Sequence, residues 1–430
     1  MKFYNLTIPD HLSTTLALQV KIIDSWNEDF FQQFIELRNQ LYKEDDHFIA
    51  EDIERFKLLF RDSYEILNRI WIWRALLIFK ISESGPIAIG RILVCYNTLN
   101  PHSVLNCGYF ETIDNYQVCK LLFDNATEFA QEHNISSLKT PIDANFFVSY
   151  RIKISGNGEP FYGEPIYQDY YHSFFKEYGF LVCNTWYTTK AFRFKALKNF
   201  KRIDQSLKGR INTYQKLQIR RIDFSRWDEE LLLLHDLFNR SFNEMPEYEP
   251  ISFSTFKELN SSLKYIACPF FSLIVEYNSK PVGFAISFFD PLKIILKAKK
   301  IEKFLNKYFS WPIKKINTIN TITKILTLIM LKLNHHTLLA LYVGRVPTSE
   351  SGVEIKGIQA KLSRHMIFGS VLLLVKKILI CYASETSGSN RSYKNDSRTN
   401  YATYVLYKKD LYKKDLYKKD LPGPKNNHPK

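Results

Sequence analysis

Glu111, Arg151 and Glu164 are the residues whose types and setting most invite chemistry, because each stands in a run of aromatic and turn-forming residues between Gly108 and Phe180. That run reads Gly108-Tyr-Phe-Glu111, Thr140-Pro-Ile-Asp-Ala-Asn145, Tyr150-Arg151, Pro160-Phe161, Glu164-Pro165 and Gly179-Phe180. A carboxylate closing a strand, with a guanidinium and a second carboxylate on a long loop, can line a binding site. Arg151 and Glu164 can equally neutralise each other, and an ion pair between them is the expectation. His335-His336 offers no metal site, since adjacent residues on a strand point to opposite faces and no third ligand is suitably spaced. The six cysteines, Cys95, Cys107, Cys119, Cys183, Cys268 and Cys381, show no C-x-x-C or Cys/His spacing and fit small buried residues in a reducing compartment.

Positioning these groups requires a mixed α/β framework. Trp26 to Tyr42 and Ala50 to Tyr64 carry apolar residues at helical spacing; Trp73 to Ile81, a turn at Glu83-Ser-Gly-Pro86, and Ile87 to Tyr96 predict a hairpin. Gly108 to Glu111 continues as a strand. Tyr116 to Glu132 predicts a helix with Val118, Leu121, Leu122, Ala126 and Phe129 on one face, and Ser137 to Ile142 a strand parallel to the one before. The second half repeats the order: helices around His235 to Phe242 and Ser254 to Leu263, a hairpin from Phe271 to Tyr277 and Val282 to Phe289, a strand from Leu338 to Val346, a helix of about twenty residues from Lys356, and a strand near Leu379 to Ala383. The expected fold class is therefore α/β (α+β): two tandem units, each a mixed, mostly antiparallel twisted sheet with one parallel strand pair flanked by helices. Residues 1–197 form one domain and 198–410 the other, the latter with a Lys-rich insertion at 292–336; the linker is expected near Leu197 to Arg221, and 411–430 is expected to be a disordered basic tail.

Composition agrees with two cores. The 430 residues are 45% hydrophobic, with 33 Phe and 26 Tyr, enough apolar surface for two domains of ordinary size. The net charge of +15 is concentrated. Lys293 to Lys332 holds ten lysines against Glu302, and Leu406 to Lys430 eight lysines against three aspartates, in a tail that repeats Leu-Tyr-Lys-Lys-Asp three times. A period of five keeps no apolar face together, so the later copies read as a frayed extension, with weak contact to anionic membrane or RNA as the alternative and no specific DNA binding. Ile319 to Leu333 and Met366 to Ala383 are interrupted or bounded by lysines and fall short of a clean membrane span. Met1 to Leu18 lacks the basic start and continuous apolar run of a signal peptide, so the expectation is a cytoplasmic protein.

The motifs of the first half resemble a tandem GNAT-like (acyl-CoA N-acyltransferase superfamily) family of bacterial proteins, in which a strand ending Gly-x-Phe-Glu leads to Gly-Pro-Ile-x-x-x-Thr-Trp-x-x-Tyr-Arg and then Pro-Phe-x-x-Glu-Pro. Thr140 replaces the Gly, and Phe146-Phe147 stand at the Thr-Trp positions, altering the substrate-side surface. In the second half Phe238-Asn-x-x-Phe242, Pro250-Ile251, Val282-Gly283-Phe284, Val346-Pro347, Asn390-x-Ser392 and Tyr404-x-Leu406-Tyr407 fall in the family's order, so the likeness covers roughly residues 25 to 410. It implies acetyl-CoA or another acyl-CoA as co-substrate and no metal, with the diphosphate on a Gly-bearing turn at a helix N-terminus, where unpaired N–H groups and the helix dipole favour anions. The matching place is Ser349-Glu-Ser-Gly352-Val353-Glu354, or a shifted register closing on Gly357, preceded on its strand by Val343, Arg345 and Val346. Glu354 stands where a small residue belongs, and a carboxylate ~4 Å from a diphosphate costs on the order of 1 to 4 kcal/mol. Thr112-Ile-Asp-Asn115, the counterpart in the first half, is acidic and lacks Gly; it is expected to cap the helix from Tyr116 through Asp114 or Asn115. For the reaction the resemblance implies, Tyr404 or Tyr407 is the candidate acid, with packing on a final strand as the alternative; Glu385 is a candidate for ordering a basic water; and Glu111, Arg151 and Glu164 would line the acceptor side.

Three functions follow. The first is an acyl-CoA-dependent N-acyltransferase acting on a small-molecule or peptide amine, its C-terminal half binding CoA; a transferase using aminoacyl-tRNA is a variant. The second is a catalytically degenerate binding or scaffold protein of the same fold. The third lays the Lys293 to Lys332 segment on an anionic membrane.

Overall fold

The computed structural model describes residues 2–7, 15–61, 67, 70–99, 104–192, 215–245, 247–261, 263–298, 300, 336–347, 357–385 and 400–411. The Asn390-x-Ser392 motif, most of the Lys-rich insertion and residues 412–430 lie outside them. In the first half, β1 (Lys2–Thr7), β2 (Thr15–Ile23), β3 (Trp71–Ser82), β4 (Gly85–Asn97) and β5 (Leu105–Thr112) pair antiparallel in sequence order, and β6 (Ser137–Thr140) joins β5 in parallel. Helices α1 (Glu28–Leu41), α2 (Ile53–Lys57), α3 (Tyr116–Glu132) and α4 (Tyr171–Glu177) cover the sheet.

Both faces of this sheet are buried, which is why its strands read as apolar runs rather than alternations. Along β3, Ala75, Leu77 and Phe79 pack with Phe30, Phe31 and Phe34 of α1, while Leu76 and Ile78 pack with Val118 and Leu122 of α3. α3 occupies the predicted residues and buries the predicted face. It sits so close to β4 that a Cβ at Gly90 would stand 2.7 Å from Val118 Cγ1. α2 is shorter than expected and continues only as a single 3-10 turn, Leu58–Phe60.

The second half repeats the plan. β11 (Leu217–Arg221), β12 (Leu273–Tyr277), β13 (Lys280–Phe289) and β14 (Thr337–Arg345) pair antiparallel, and β15 (Lys377–Ser384) joins β14 in parallel. The expected linker therefore already contains a strand, β11. On one face α5 (Trp227–Phe242) and α6 (Phe253–Asn260) pack on Ile274, Phe284 and Ile286; on the other, α7 (Ile358–Leu372) packs on Leu273, Val275 and Ala285. Each half thus runs antiparallel strands, helix, parallel strand, the mixed α/β order expected from the sequence.

What the sequence did not foretell is how the halves join. After α4 the chain enters β10 (Leu181–Phe192), and the last strand among the described residues is β16 (Asn400–Asp410). The sheet order is β1-β2-β3-β4-β5-β6-β16-β10-β15-β14-β13-β12-β11. The last strand of the second half lies against β6 of the first, and the last strand of the first lies against β15 of the second. The halves exchange their final strands, and β16 and β10 pair with each other at the centre. The first Leu-Tyr-Lys-Lys-Asp copy is part of β16, with Leu406 and Tyr407 fully buried, and the Leu411 N–H donates to the Ser136 carbonyl at 2.7 Å.

Among the described residues no helix is long and apolar enough to cross a membrane. Met366 to Ala383 divides between the end of α7 and β15, and Ile319 to Leu333 lies outside the described residues.

Strand exchange makes the halves mutually dependent, because without β16 the β6 and β10 edges lose their ladder partner and expose buried apolar faces. A chain ending at residue 399 is expected to lose cooperative thermal unfolding and near-ultraviolet circular dichroism throughout, whereas one ending at residue 411 keeps both. An intact transition from the shorter chain would contradict mutual dependence.

Candidate functional site

The two halves diverge in how they treat the gap that opens beyond each parallel strand pair. In both, the strand before the gap carries a bulge, which adds a residue and bends the strand away. It falls between Arg91/Glu111 and Leu93/Gly108 in the first half and beside Leu341 in the second.

In the first half the gap is filled by the protein itself. β5 and β6 pair only at Leu105 with Leu138 and Asn106 with Lys139. Beyond Pro141 the chain folds into a small hairpin, β7 (Ile142–Asp143) with β8 (Ser149–Tyr150), pressed onto β5 so closely that a Cβ on Gly108 would lie 1.8 Å from the Ile142 carbonyl oxygen. The Asp143 carboxylate accepts the N–H of Tyr109, a non-glycine residue at φ +47.

Beneath it lies a buried charge cluster. Glu111 is fully buried at the end of β5; it accepts from Arg38, from the Tyr42 hydroxyl at 3.1 Å and from the Tyr171 hydroxyl at 2.7 Å. Arg91, also fully buried, grips Glu51 with both terminal nitrogens at 2.8 and 3.1 Å and donates to the Phe34 carbonyl. Burial opposes ionisation of Glu51, yet Arg91 and Arg38 outweigh it and hold its carboxyl below the usual range. For Asp143 burial wins over the Tyr109 N–H and Arg38, and its pKa is pushed up to about 6. Glu111 is therefore a structural anchor of this half rather than an open substrate ligand. The helix start above it is also spent, because Asn115 accepts from the N–H groups of Gln117 and Val118, as the sequence predicts.

In the second half the strands pair from Thr337 with Lys377 to Ala340 with Ile380 and then separate. Among the described residues no strand takes the free edge of β14 from Leu341 to Arg345. Val343 and Arg345 are exposed there, and the Val346 N–H turns back to the Val282 carbonyl at 2.9 Å. The helix that follows, α7, begins on Gly357, whose backbone is left-handed at φ +99 and which has no side chain to cap the first turn. Gly352, Val353 and Glu354 lie outside the described residues.

The first half's long loop reaches the neighbourhood of this gap. Its guanidinium, Arg151, is 7% exposed and crowded by rings, with Cζ 3.8 Å from the centroid of Tyr150, 4.1 Å from Tyr382 and 5.0 Å from Trp186. The expected ion pair with Glu164 does not form. Glu164 instead meets Lys153 at 3.3 Å and accepts from the Tyr404 hydroxyl, because Lys153 and Tyr404 face each other across the β9 (Ile152–Ser155) and β16 pairing. Burial raises the Glu164 carboxyl and drives the Tyr404 phenol far above its ordinary value.

Of the predicted site residues, Arg151, Glu164 and Tyr404 thus meet around one interface between the halves. Tyr407 does not: it packs in the first half's core against Phe175 and contacts His172. Glu385 is exposed where β15 ends. Phe146 and Phe147 are packing residues, Phe146 on Tyr150, Phe242 and Tyr248, and Phe147 on Phe238, Tyr248 and Phe256. Sequence reasoning missed Tyr382 and Trp186, which carry no motif; Asp143 lay inside the quoted Thr140-Pro-Ile-Asp string.

No protein-family model matches the chain. It is 26% identical over 277 residues to Protein YghO of Escherichia coli (strain K12), a match covering 60% of this chain and 66%, just under two thirds, of that relative's length. Among solved structures it is similar to a tandem GNAT protein from the clavulanic acid biosynthesis pathway, with a TM-score of 0.46 and 8% identity, covering 91% of this chain and 98% of the other. It is also similar to a GCN5-related N-acetyltransferase from Anabaena variabilis, with a TM-score of 0.47 and 9% identity, covering 92% and 74%.

The plug in the first half is testable through pH. The folded Asp143 carboxyl keeps its proton up to about pH 6, whereas the unfolded one releases it near 3.8. The native state thus binds more protons between those values, and this residue's contribution to stability falls as pH rises through them. Asp143→Asn keeps the acceptor for Tyr109 and removes that loss. Its stability relative to the parent is expected to improve by about 1 to 3 kcal/mol between pH 4.5 and 7.5 in urea unfolding; an unchanged difference would show that Asp143 titrates normally.

Proposed function

We propose that this chain is an acyl-CoA-dependent N-acyltransferase whose C-terminal half holds the acyl donor. The observation that carries this reading is the asymmetry of the two gaps. The first is occupied by Asp143 and its helix start is capped by Asn115; the second, among the described residues, leaves the β14 edge without a strand partner and leads to a helix opened by a left-handed glycine.

An extended acyl-pantetheine arm can take the edge amides and carbonyls of Leu341 to Arg345 as a short added strand, and α7 offers its N-terminal amides and dipole to the diphosphate. Val343, Arg345, Val346 and Gly357 are the described residues assigned to this binding, continued through Gly352, Val353 and Glu354. A bound acyl-CoA supplies a thioester to a neutral amine, and the departing thiolate takes up a proton. Tyr404 is the phenol assigned to that proton, since it lies with Glu164 beside the interface, whereas Tyr407 faces another core. Glu385 is the carboxylate assigned to an ordered water at the rim.

Acetyl-CoA at about a hundred times its dissociation constant stabilises a one-site protein by about 2.7 kcal/mol, so a rise of a few degrees in melting temperature is expected. Gly357→Val puts a branched side chain on a left-handed backbone at the helix start and is expected to weaken acetyl-CoA at least tenfold. Absence of any shift at millimolar acetyl-CoA would overturn the assignment in favour of a binding protein that kept only the fold.

A further inference from the structure

We infer that Arg151 is the binding residue for a carboxylate, and that the acceptor is an amine carrying one, of the α-amino acid type. The inference rests on the acyltransferase reading for the word acceptor, but its geometry stands apart from it. Arg151 is more than nine-tenths buried, and its Nη1 has no hydrogen-bond partner among the described residues. Its Nε donates to the Tyr150 carbonyl at 2.8 Å and its backbone N–H to the Pro141 carbonyl at 3.0 Å, so the side chain is aimed, while no carboxylate among the described residues pairs with it. Glu164, the partner expected from the sequence, is committed to Lys153 and Tyr404.

A buried guanidinium without an anion is a costly group to keep, and native proteins keep few such donors unmatched. Two further features mark the place as held under constraint. Arg151 itself adopts φ +88 and Tyr382, in contact with it, φ +55, both left-handed positions in residues with side chains. Such positions persist where the surroundings over-determine them and gather at ligand sites. The chemistry of the missing partner follows from shape. Rings of Tyr150, Tyr382 and Trp186 stand around the guanidinium and its Nε is engaged by the Tyr150 carbonyl, so the donor left without a partner is Nη1, a charged planar N–H that suits a carboxylate oxygen.

In the reaction proposed above, such an acceptor would be oriented by its carboxylate at the interface of the halves, leaving its amine to attack. Arg151 is then a binding and positioning residue for the acceptor, with no part in holding acyl-CoA.

The test uses the full chain. Each of the twenty common L-amino acids is added at about 10 mM and thermal unfolding is recorded, with the corresponding L-amino acid carboxamide as the control that keeps size and loses charge. At least one acid is expected to raise the melting temperature while its carboxamide does not. Arg151→Gln and Arg151→Lys are expected to weaken that binding at least tenfold, the lysine because it lacks the fork, and both should keep the acetyl-CoA shift. Arg151→Met, which removes the unmatched donor, is expected to match or exceed the parent's melting temperature without ligand. The inference is overturned if no amino acid shifts the parent, if Gln or Lys binds as the parent does, or if Arg151→Met melts several degrees lower, which would make the guanidinium a structural element. An amino acid shift without an acetyl-CoA shift would leave the carboxylate site standing and remove the acyltransferase reading.

Discussion

The pairing of β16 with β10 is the constraint on which the rest of this molecule depends. Each strand belongs by sequence to one half and by its outer ladder to the other. Backbone N–H and C=O groups in the middle of a sheet covered on both faces have no water to turn to, so a missing neighbour would strand a whole row of them. β16 shows how fully this position is used: Tyr401, Ala402, Tyr404, Val405, Leu406 and Tyr407 are all buried. Its odd and even residues serve different cores, with Tyr404 and Leu406 packing between the halves and Val405 and Tyr407 inside the first half.

The two halves share a plan but differ at the gap beyond the parallel pair. In the first, the gap beyond the parallel pair is closed by backbone and by a carboxylate, over a buried network of Arg38, Arg91, Glu51 and Glu111. Buried ion pairs add little net stability over apolar packing, but removing one partner leaves an uncompensated charge and is strongly destabilising. The network therefore fixes α1, β4 and β5 in one arrangement more than it deepens the fold. Among the described residues the second half has no such plug, and its gap is approached by the aromatic loop of the first half.

The local elements were legible because local rules govern them. α3 carries its apolar residues at helical spacing, and its Asn115 cap follows from side-chain chemistry that a four-residue window contains. The β3–β4 hairpin follows from its turn, where Gly85 adopts φ +111. The exchange was not legible, since nothing within β10 or β16 records which strand 200 residues away will lie beside it. The first Leu-Tyr-Lys-Lys-Asp copy ends β16, a strand that the packing alternative for Tyr404 and Tyr407 allowed, and the later copies fall outside the described residues beyond Leu411. A period of five excludes a shared face across three copies, yet a single copy can end a central strand whose two faces are both covered. The Arg151 and Glu164 pairing failed because charge sign alone does not choose partners; the β9–β16 register brings Lys153 and Tyr404 to Glu164 and leaves Arg151 among rings.

The exchange also decides where a site can exist. Tyr150, Arg151 and Glu164 come from the first half's loop, Trp186 from β10, Tyr382 from β15 and Tyr404 from β16. Had each half kept its own last strand, Trp186 and Tyr404 would sit in separate sheets, and the aromatic wall around Arg151 would lose one side while Glu164 lost its phenol. The strands that hold the molecule together are thus the ones that line the interface. A change that loosens the central pairing will be felt at Arg151 and Glu164, and through Val405 and Tyr407 in the core under α3, before it is felt in the cores under α1 or under α5 and α7, which include no residue of β10 or β16.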